Sequence, residues 1–207
     1  MSNVGTLYII AAPSGAGKTT LVKALLLSMP DLKVSISYTT RQKRVEEKHG
    51  RNYFFVDDNE FDVMVGDNVF LEHAVVFDHR YGTSRDWVLE QLKKGVDVVL
   101  EIDWQGARQI RSLFNDSLSV FILPPSVEVL WKRLEGRNQD TKEVVESRMQ
   151  AASNEVSHFH EFDYIVINDE FDQALMDLQH IIKARRLRSE AQGQRHANML
   201  AKLLESG

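Results

Sequence analysis

The stretch Ala12-Pro13-Ser14-Gly15-Ala16-Gly17-Lys18-Thr19, with Thr20 behind it, carries the residue types an anion cradle needs. Gly15 and Gly17 let backbone N–H groups approach an anion closely. A helix starting at this point would add the partial positive charge of its N-terminus. Lys18 can reach the outer phosphates of a nucleoside triphosphate, and the Thr19 hydroxyl can hold Mg²⁺ beside them. The usual pattern opens on glycine, whereas this chain has Ala12. A plain strand–turn–helix corner with incidental glycines is the alternative, and Gly-Lys-Thr directly after the turn argues against it.

A second group of cations follows. Arg41, Lys43, Arg44, Lys48 and Arg51 face only Glu46 and Glu47 across an eleven-residue stretch of an acidic chain. Guanidinium groups take phosphate through paired hydrogen bonds, and a tyrosine hydroxyl such as that of Tyr53 adds another. A solvated basic loop is the equal alternative. Ser37 precedes this run; Phe70-Leu71-Glu72-His73-Ala74 and Tyr81-Gly82-Thr83-Ser84 come after it. A carboxylate such as Glu72 only accepts hydrogen bonds. Guanine offers two adjacent donors, N1–H and the exocyclic amine, while adenine has no hydrogen at N1. Hydroxyls of Ser37 and Thr83 could donate to the purine's O6 and N7. Opposite adenine, the buried carboxylate would lose a partner, which is costly.

Arg133 and Arg137 are four apart and share a helix face, and Arg148 opens the next helical stretch. Such arginines can be surface residues among Glu135, Asp140, Glu143 and Glu146, or cations that meet a transferred phosphoryl group. Glu101 and Asp103 alternate near a strand's C-terminal end, where α/β proteins bind ligands. The seven histidines have no metal-ligand spacing and read as surface or core residues.

The elements that must position these groups follow from periodicity. Leu7–Ala12 is an apolar run ended by Pro13, which suits a strand buried on both faces. A helix follows over Thr19–Leu27. Val34–Thr40, Tyr53–Val56 and Val69–Phe77 read as extended, with a helix over about Asp58–Val65 between the last two. Ser84 caps a helix that ends before Gly95. Val96–Ile102 and Leu118–Leu123 are buried strands, the latter stopped by Pro124 and Pro125. Ser126 caps a helix to about Glu135, and another begins near Thr141 with Val145, Met149, Ala152 and Val156 on one face. Tyr164–Ile167 is a short strand. Phe171–Ser189 is a long helix with Leu175, Leu178, Ile182 and Leu187 inward and a basic, solvated end from Lys183 to Arg188. Alternating strands and helices indicate an α/β fold with a parallel sheet, and the strand-rich stretch from Val34 to Phe77 is an insertion in it.

Composition bounds the function. The chain has 207 residues, 43% hydrophobic and 27% charged, as in an ordinary globular domain. Its net charge of −5 disfavours nucleic acid and anionic membrane as partners, and no apolar run is long enough to span a bilayer. The absence of cysteine excludes a disulfide scaffold, a thiolate metal site and a cysteine nucleophile. The short polar N-terminus does not read as a signal peptide, so a cytoplasmic enzyme is expected. No countable pattern decides between a monomer and a homo-oligomer.

The chain resembles the bacterial guanylate kinases from about Thr6 to Arg188. The resemblance is carried by residues 12–19, Thr39-Thr40-Arg41 with Arg44, His49 to Phe55, 70–74, 81–84, Glu101-Ile102-Asp103-Trp104-Gln105-Gly106, 121–126, Arg133, Arg137, Arg148-Met149 and Val166-Ile167-Asn168-Asp169. It implies a P-loop kinase that moves the ATP γ-phosphoryl group to GMP with Mg²⁺, with dGMP as a further acceptor. It also implies a guanylate kinase-like domain over 5–185. Its core would comprise 5–36, 86–125 and 158–190, with a GMP-binding insertion at 37–85, a helical lid at 126–157 and a tail at 190–207. Ser37, Glu72, Thr83 and Asp103 would surround guanine, with Gly82 and Gly106 beside them. Arg41, Arg44, Tyr53 and Tyr81 would hold the GMP phosphate, with Glu47 a further residue of the GMP site. Ala12 to Thr20, Arg133, Arg137 and Asn168 would bind ATP. Lys18, Arg44, Arg137 and Arg148 would be catalytic, and Thr19, with Glu101, would hold the metal. Two departures stand out: Val45 replaces a proline after the second arginine, and Glu101 replaces an aspartate. A binding module that has lost catalysis is the competing class, against which the intact Gly15, Gly17, Lys18 and Thr19 argue. A kinase for another phosphorylated acceptor is a third reading, against which Ser37, Glu72 and Thr83 argue.

Overall fold

In the computed structural model, which describes residues 4–135 and 142–205, two sheets face each other across a cleft. The larger is fully parallel, formed by β1 (Leu7–Ala11), β2 (Leu32–Val34), β7 (Asp97–Glu101), β8 (Leu118–Leu123) and β9 (Tyr164–Ile167) in the order β2-β7-β1-β8-β9. Every residue of β1 is buried, as its uninterrupted apolar run requires. The twofold alternation of the strand divides the core in two. Tyr8 and Ile10 join Val99, Val120 and Ile122 under helices α1 (Lys18–Ser28) and α7 (Phe171–Arg186). Leu7 and Ile9 join Val98 and Leu100 under α3 (Arg85–Lys93) and α4 (Trp104–Leu113).

The second sheet has the order β4-β3-β6-β5, from β3 (Tyr38–Thr39), β4 (Phe54–Phe55), β5 (Phe70–Val76) and β6 (His79–Ser84). It covers most of the strand-rich stretch expected as an insertion, with α2 (Asp58–Gly66) packed on it through Phe61, whose ring lies 4.6 Å from that of Phe70. β5 and β6 form a hairpin whose turn residues Phe77 and Asp78 both have positive φ, the geometry of a tight two-residue turn. The segment 34–40, expected as one strand, is divided between the sheets. β2 ends at Val34 in the parallel sheet, and β3 begins at Tyr38 in the other. An apolar-alternating segment does not itself reveal that its two ends pair with different partners.

Helices α5 (Val127–Glu135) and α6 (Lys142–Val156) pack through Leu130, Leu134 and Ala152. Ser126 caps α5, its hydroxyl accepting from Val129 N–H at 3.2 Å. Thr141, expected to open α6, lies outside the described residues. A 3₁₀ turn at Phe159–Glu161 joins α6 to β9.

Two other expectations are corrected. Leu187, placed on the inward face of the last long helix, is 69% exposed because α7 ends at Arg186. The basic end of α7 is only partly a solvated face: Lys183 and Arg188 are exposed, but Arg185 and Arg186 are not. Arg185 is buried and ion-paired with Asp116, and Arg186 binds Asp97 at 2.7 Å and Asp31 at 2.8 Å. The segment 190–207, expected as a tail, contains α8 (Ser189–Arg195) and α9 (Ala197–Glu205) within its described part. No helix among the described residues is long and apolar enough to cross a membrane.

Candidate active site

The cleft begins at the C-terminal end of β1. Chain direction reverses there through a loop closed by the Ala16 N–H to Pro13 C=O bond at 3.1 Å. Gly15 and Gly17 have φ of 90° and 94°, and Gly17 is the N-cap of α1. The first turn of α1 has no acidic residue, so its positive end is left for an external anion. A Cβ on Gly17 would sit 2.4 Å from Asn168 Nδ2. Ala12 is not among the positive-φ residues, so the absent glycine imposes no strain there.

Asn168, expected near the nucleotide, is tied to the loop itself. Its buried amide donates to Ala16 C=O at 2.7 Å, and its own C=O accepts from Arg133 at 3.0 Å. Arg133 also reaches Ala16 C=O, at 3.5 Å. Both residues therefore brace the loop from its protein side, and neither lines the cleft.

The cleft, about 240 Å³, is lined by Ala12, Pro13, Ser14, Gly15, Gly17, Lys18 and Thr19 on one wall. Ser37, Tyr53, Glu72 and Tyr81 line the opposite wall, with Glu101 and Asp103 at its floor. Sequence reasoning missed Ala74, Val76, Phe77, Ile102 and Glu155, which complete the lining. The apolar four have no residue type that signals a site, and Glu155 is one of several acids along α6.

Glu72 is 4% exposed, and Thr83 donates its hydroxyl hydrogen to Glu72 Oε1 at 2.5 Å. That bond uses the one hydrogen that the Thr83 hydroxyl, expected beside guanine, has to donate. Thr83 is fully buried behind Glu72 and does not line the cleft. Burial pushes the Glu72 carboxyl up to about 7, opposed by the Thr83 bond; Asp103 raises it further and Lys18 lowers it. Gly106 fits against the same carboxylate, for a Cβ there would lie 2.4 Å from Glu72 Oε2.

Asp103 is also repositioned. It does not alternate with Glu101 along a strand, because β7 stops at Glu101 and Asp103 is the N-cap of α4, accepting from Gly106 N–H at 3.0 Å. Sequence reasoning missed the α4 helix, although Ala107, Ile110 and Phe114 recur at helical spacing and pack on one face. Gln109 ties α4 to β5 by donating to His73 C=O at 2.8 Å and accepting from His73 N–H at 3.2 Å. Gln105 donates to Val75 C=O at 3.1 Å. These bonds fasten the second sheet to the first.

Within the basic stretch, Arg41 pairs with Glu47 at 2.7 Å and lies 5.4 Å from the Tyr53 ring centroid. Burial works against the Glu47 carboxylate, but the bonds from Arg41 and the Arg44 N–H outweigh it and hold the group below its usual range. Burial pushes the Tyr53 hydroxyl up to about 12, so it stays a hydrogen-bond donor. Its ring is 5.9 Å from that of Tyr81, and both line the cleft. Arg41, Arg44 and Glu47 do not line it, and Arg44 is exposed. Gly82 is buried in β6, Thr20 is exposed on α1, and Arg148 is half-buried on α6; none of these lines the cleft. Arg137 lies outside the described residues. Val45, in place of proline, is fully solvent-exposed.

Among the described residues no three His, Asp, Glu or Cys side chains cluster as a metal cage. Thr19, Glu101 and Asp103 instead present a few oxygen donors at the cleft. That donor chemistry suits a hard cation whose remaining ligands are phosphate oxygens and water.

The cleft therefore joins a glycine-containing loop and helix N-terminus on one sheet to a buried carboxylate and paired tyrosines on the other. The sequence profile of the guanylate kinase family matches residues 4–185. The chain belongs to the guanylate kinase family. Members of that family phosphorylate GMP using ATP. The guanylate kinase of Coxiella burnetii is 53% identical over 203 residues, covering 98% of each chain. That of Escherichia coli K12 is 54% identical over 202 residues, covering 97% of this chain and 98% of the other. The crystal structure of the Anaplasma phagocytophilum guanylate kinase superposes with a TM-score of 0.77 at 31% identity, covering 90% of this chain and 89% of that one.

Proposed function

We propose that residues 12–19 hold the ATP phosphates, that the second sheet holds GMP, and that transfer occurs between them across the cleft. The observation that carries this reading is the buried Glu72 carboxylate opening into the same cleft as Lys18. Ionised, Glu72 accepts from guanine N1–H and the exocyclic amine, with Asp103 and Ser37 beside it. Tyr53 and Tyr81 donate to the GMP phosphate, joined by Arg41 and Arg44 as the 37–85 insertion closes on the nucleotide. Glu47 orients Arg41 through their ion pair.

A GMP phosphate oxygen attacks the γ-phosphorus as the bond to the β–γ bridging oxygen breaks, and ADP leaves with that electron pair. No general base is needed, because the attacking oxygen is already anionic at neutral pH. Lys18, Arg44, Arg137 and Arg148 meet the charge spread over the transferred group. The 126–157 segment acts as the lid that brings the last two and excludes water. Thr19 and Glu101 would hold Mg²⁺, which would supply charge neutralisation at the phosphates.

The test measures ADP release from ATP with GMP, AMP, CMP and UMP in parallel. Turnover with GMP far above the others is expected. Equal turnover with AMP removes Glu72 from base recognition, and no GMP-dependent turnover by the folded protein removes the transfer itself. Lys18→Ala is expected to abolish turnover while GMP affinity, measured by calorimetry, stays within about twofold.

A further inference from the structure

The phosphate cradle already meets a protein anion. Glu155, in the last turn of α6, accepts a hydrogen bond from Ser14 N–H at 2.9 Å across 141 residues of chain. Ser14 directly precedes Gly15 in the cradle, and Glu155 lines the same cleft as Lys18. The other charged partner is occupied too, since the Lys18 ammonium donates to Ile102 C=O at 3.3 Å. Burial raises the Glu155 carboxyl above its usual range, with the Ser14 N–H and Lys18 acting against that shift and Asp103 adding to it. A half-buried carboxylate facing a cradle built for anions is chemically equivalent to one phosphate oxygen pair at its mouth.

Resting on the reading of residues 12–19 as the ATP cradle, we propose that Glu155 is a built-in placeholder that competes with the ATP phosphates for the cradle. Two negative groups cannot share the site without repulsion in a partly water-excluded cleft. Bound ATP therefore turns the Glu155 side chain away from Ser14. That movement acts on the end of α6, the helix that also carries Arg148. ATP entry and the position of α6 are thus linked through one side chain. Glu155 is a positioning residue in this scheme, because it neither touches the transferred group nor moves a proton.

A strut that supports the loop and a placeholder that competes with ATP predict opposite signs on removal of the charge. Glu155→Gln keeps an acceptor for Ser14 N–H and removes the charge. Calorimetric titration with ATP is expected to give a Kd about 3- to 10-fold lower for E155Q than for the unmodified protein. Inorganic tripolyphosphate is expected to follow ATP, as it carries the phosphates without the base. ATP binding to E155Q that is unchanged or weaker overturns the proposal. If thermal melting shows that E155Q does not fold, E155A is read by the same criterion. The cradle reading fails separately, and only if the unmodified protein binds no ATP.

Discussion

Glu72 shows what a buried site acid does to the pH behaviour of a protein. Burial pushes its carboxyl up to about 7 in the fold, from the 4.5 of an exposed glutamate. Between pH 4.5 and 7 the folded state holds a proton that the unfolded chain has released. Stability from this group is therefore lost as pH rises through that window, and the full cost stays above pH 7. Glu72→Gln, which cannot ionise, is expected to melt at a higher temperature than the unmodified protein at pH 8. The two should converge near pH 4.5. GMP binding has the opposite sign, because guanine's donors need the ionised carboxylate. GMP affinity should fall below pH 7 more steeply than in E72Q, which should bind more weakly and keep only the pH dependence of the GMP phosphate, whose second ionisation lies at about 6. Fluorescence-detected titrations across pH 5.5 to 8.5 check both. Gly106 belongs to the same argument. Gly106→Ala places a methyl 2.4 Å from Glu72 Oε2, so KM for GMP is expected to rise about tenfold or more while KM for ATP stays. An equal rise in both would show a general disruption instead.

At the level of elements, α7 is held to the parallel sheet by charge as well as by its apolar face. Arg186 donates to Asp97 Oδ2, whose other oxygen accepts from Thr6 N–H at 2.7 Å, and it also reaches Asp31. One guanidinium therefore joins α7 to the starts of β7 and β1 and to the end of the α1–β2 connection. Burial works against its charge, yet the Asp97 and Asp31 carboxylates outweigh that and raise its pKa. Arg186→Ala leaves Asp97 half-satisfied near the sheet edge, and about 1–3 kcal/mol of stability should be lost in urea unfolding. Arg186→Lys should recover only part of this, because a single ammonium does not span two carboxylates with a fixed fork. Lys183 is exposed, and its substitution by Ala is the control expected within about 0.5 kcal/mol.

At the scale of the whole molecule, the cleft exists because two sheets are fastened across one another by α4. Gln109 pairs with both backbone groups of His73 on the open edge of β5, and Asp103 opens the same helix at the cleft. A stacked ring pair, Trp104 and His158 at 3.8 Å, with Arg108 bonded to Glu161 at 2.6 Å, fixes α4 against the chain leaving α6. By contrast, α9 buries no residue and leaves Met199, Leu200, Leu203 and Leu204 exposed. Ending the chain at His196 is therefore expected to lower stability by less than about 1 kcal/mol in urea unfolding. A larger loss would show that α9 has a packing partner in solution.

Much was legible in the sequence because its causes are local. The buried strand before Pro13, the glycines that permit positive φ, the caps at Ser84 and Ser126 and the cation-rich stretch after Ser37 all depend on residues close in the chain. Nearly full-length likeness to a known family rested on such local blocks. What the tertiary structure decided depends on contacts across the chain. Val34 and Tyr38 went to different sheets, Asp103 became a helix cap, and Thr83 spent its hydrogen on Glu72. Asn168 and Arg133, expected beside ATP, reach across the chain to bond the Ala16 carbonyl of the loop. Arg185 and Arg186 became buried partners of distant carboxylates, and Glu155 reached Ser14. Residue type and spacing carry no record of which distant partner consumes a hydrogen bond or a charge. That assignment is made only when the sheets and helices pack.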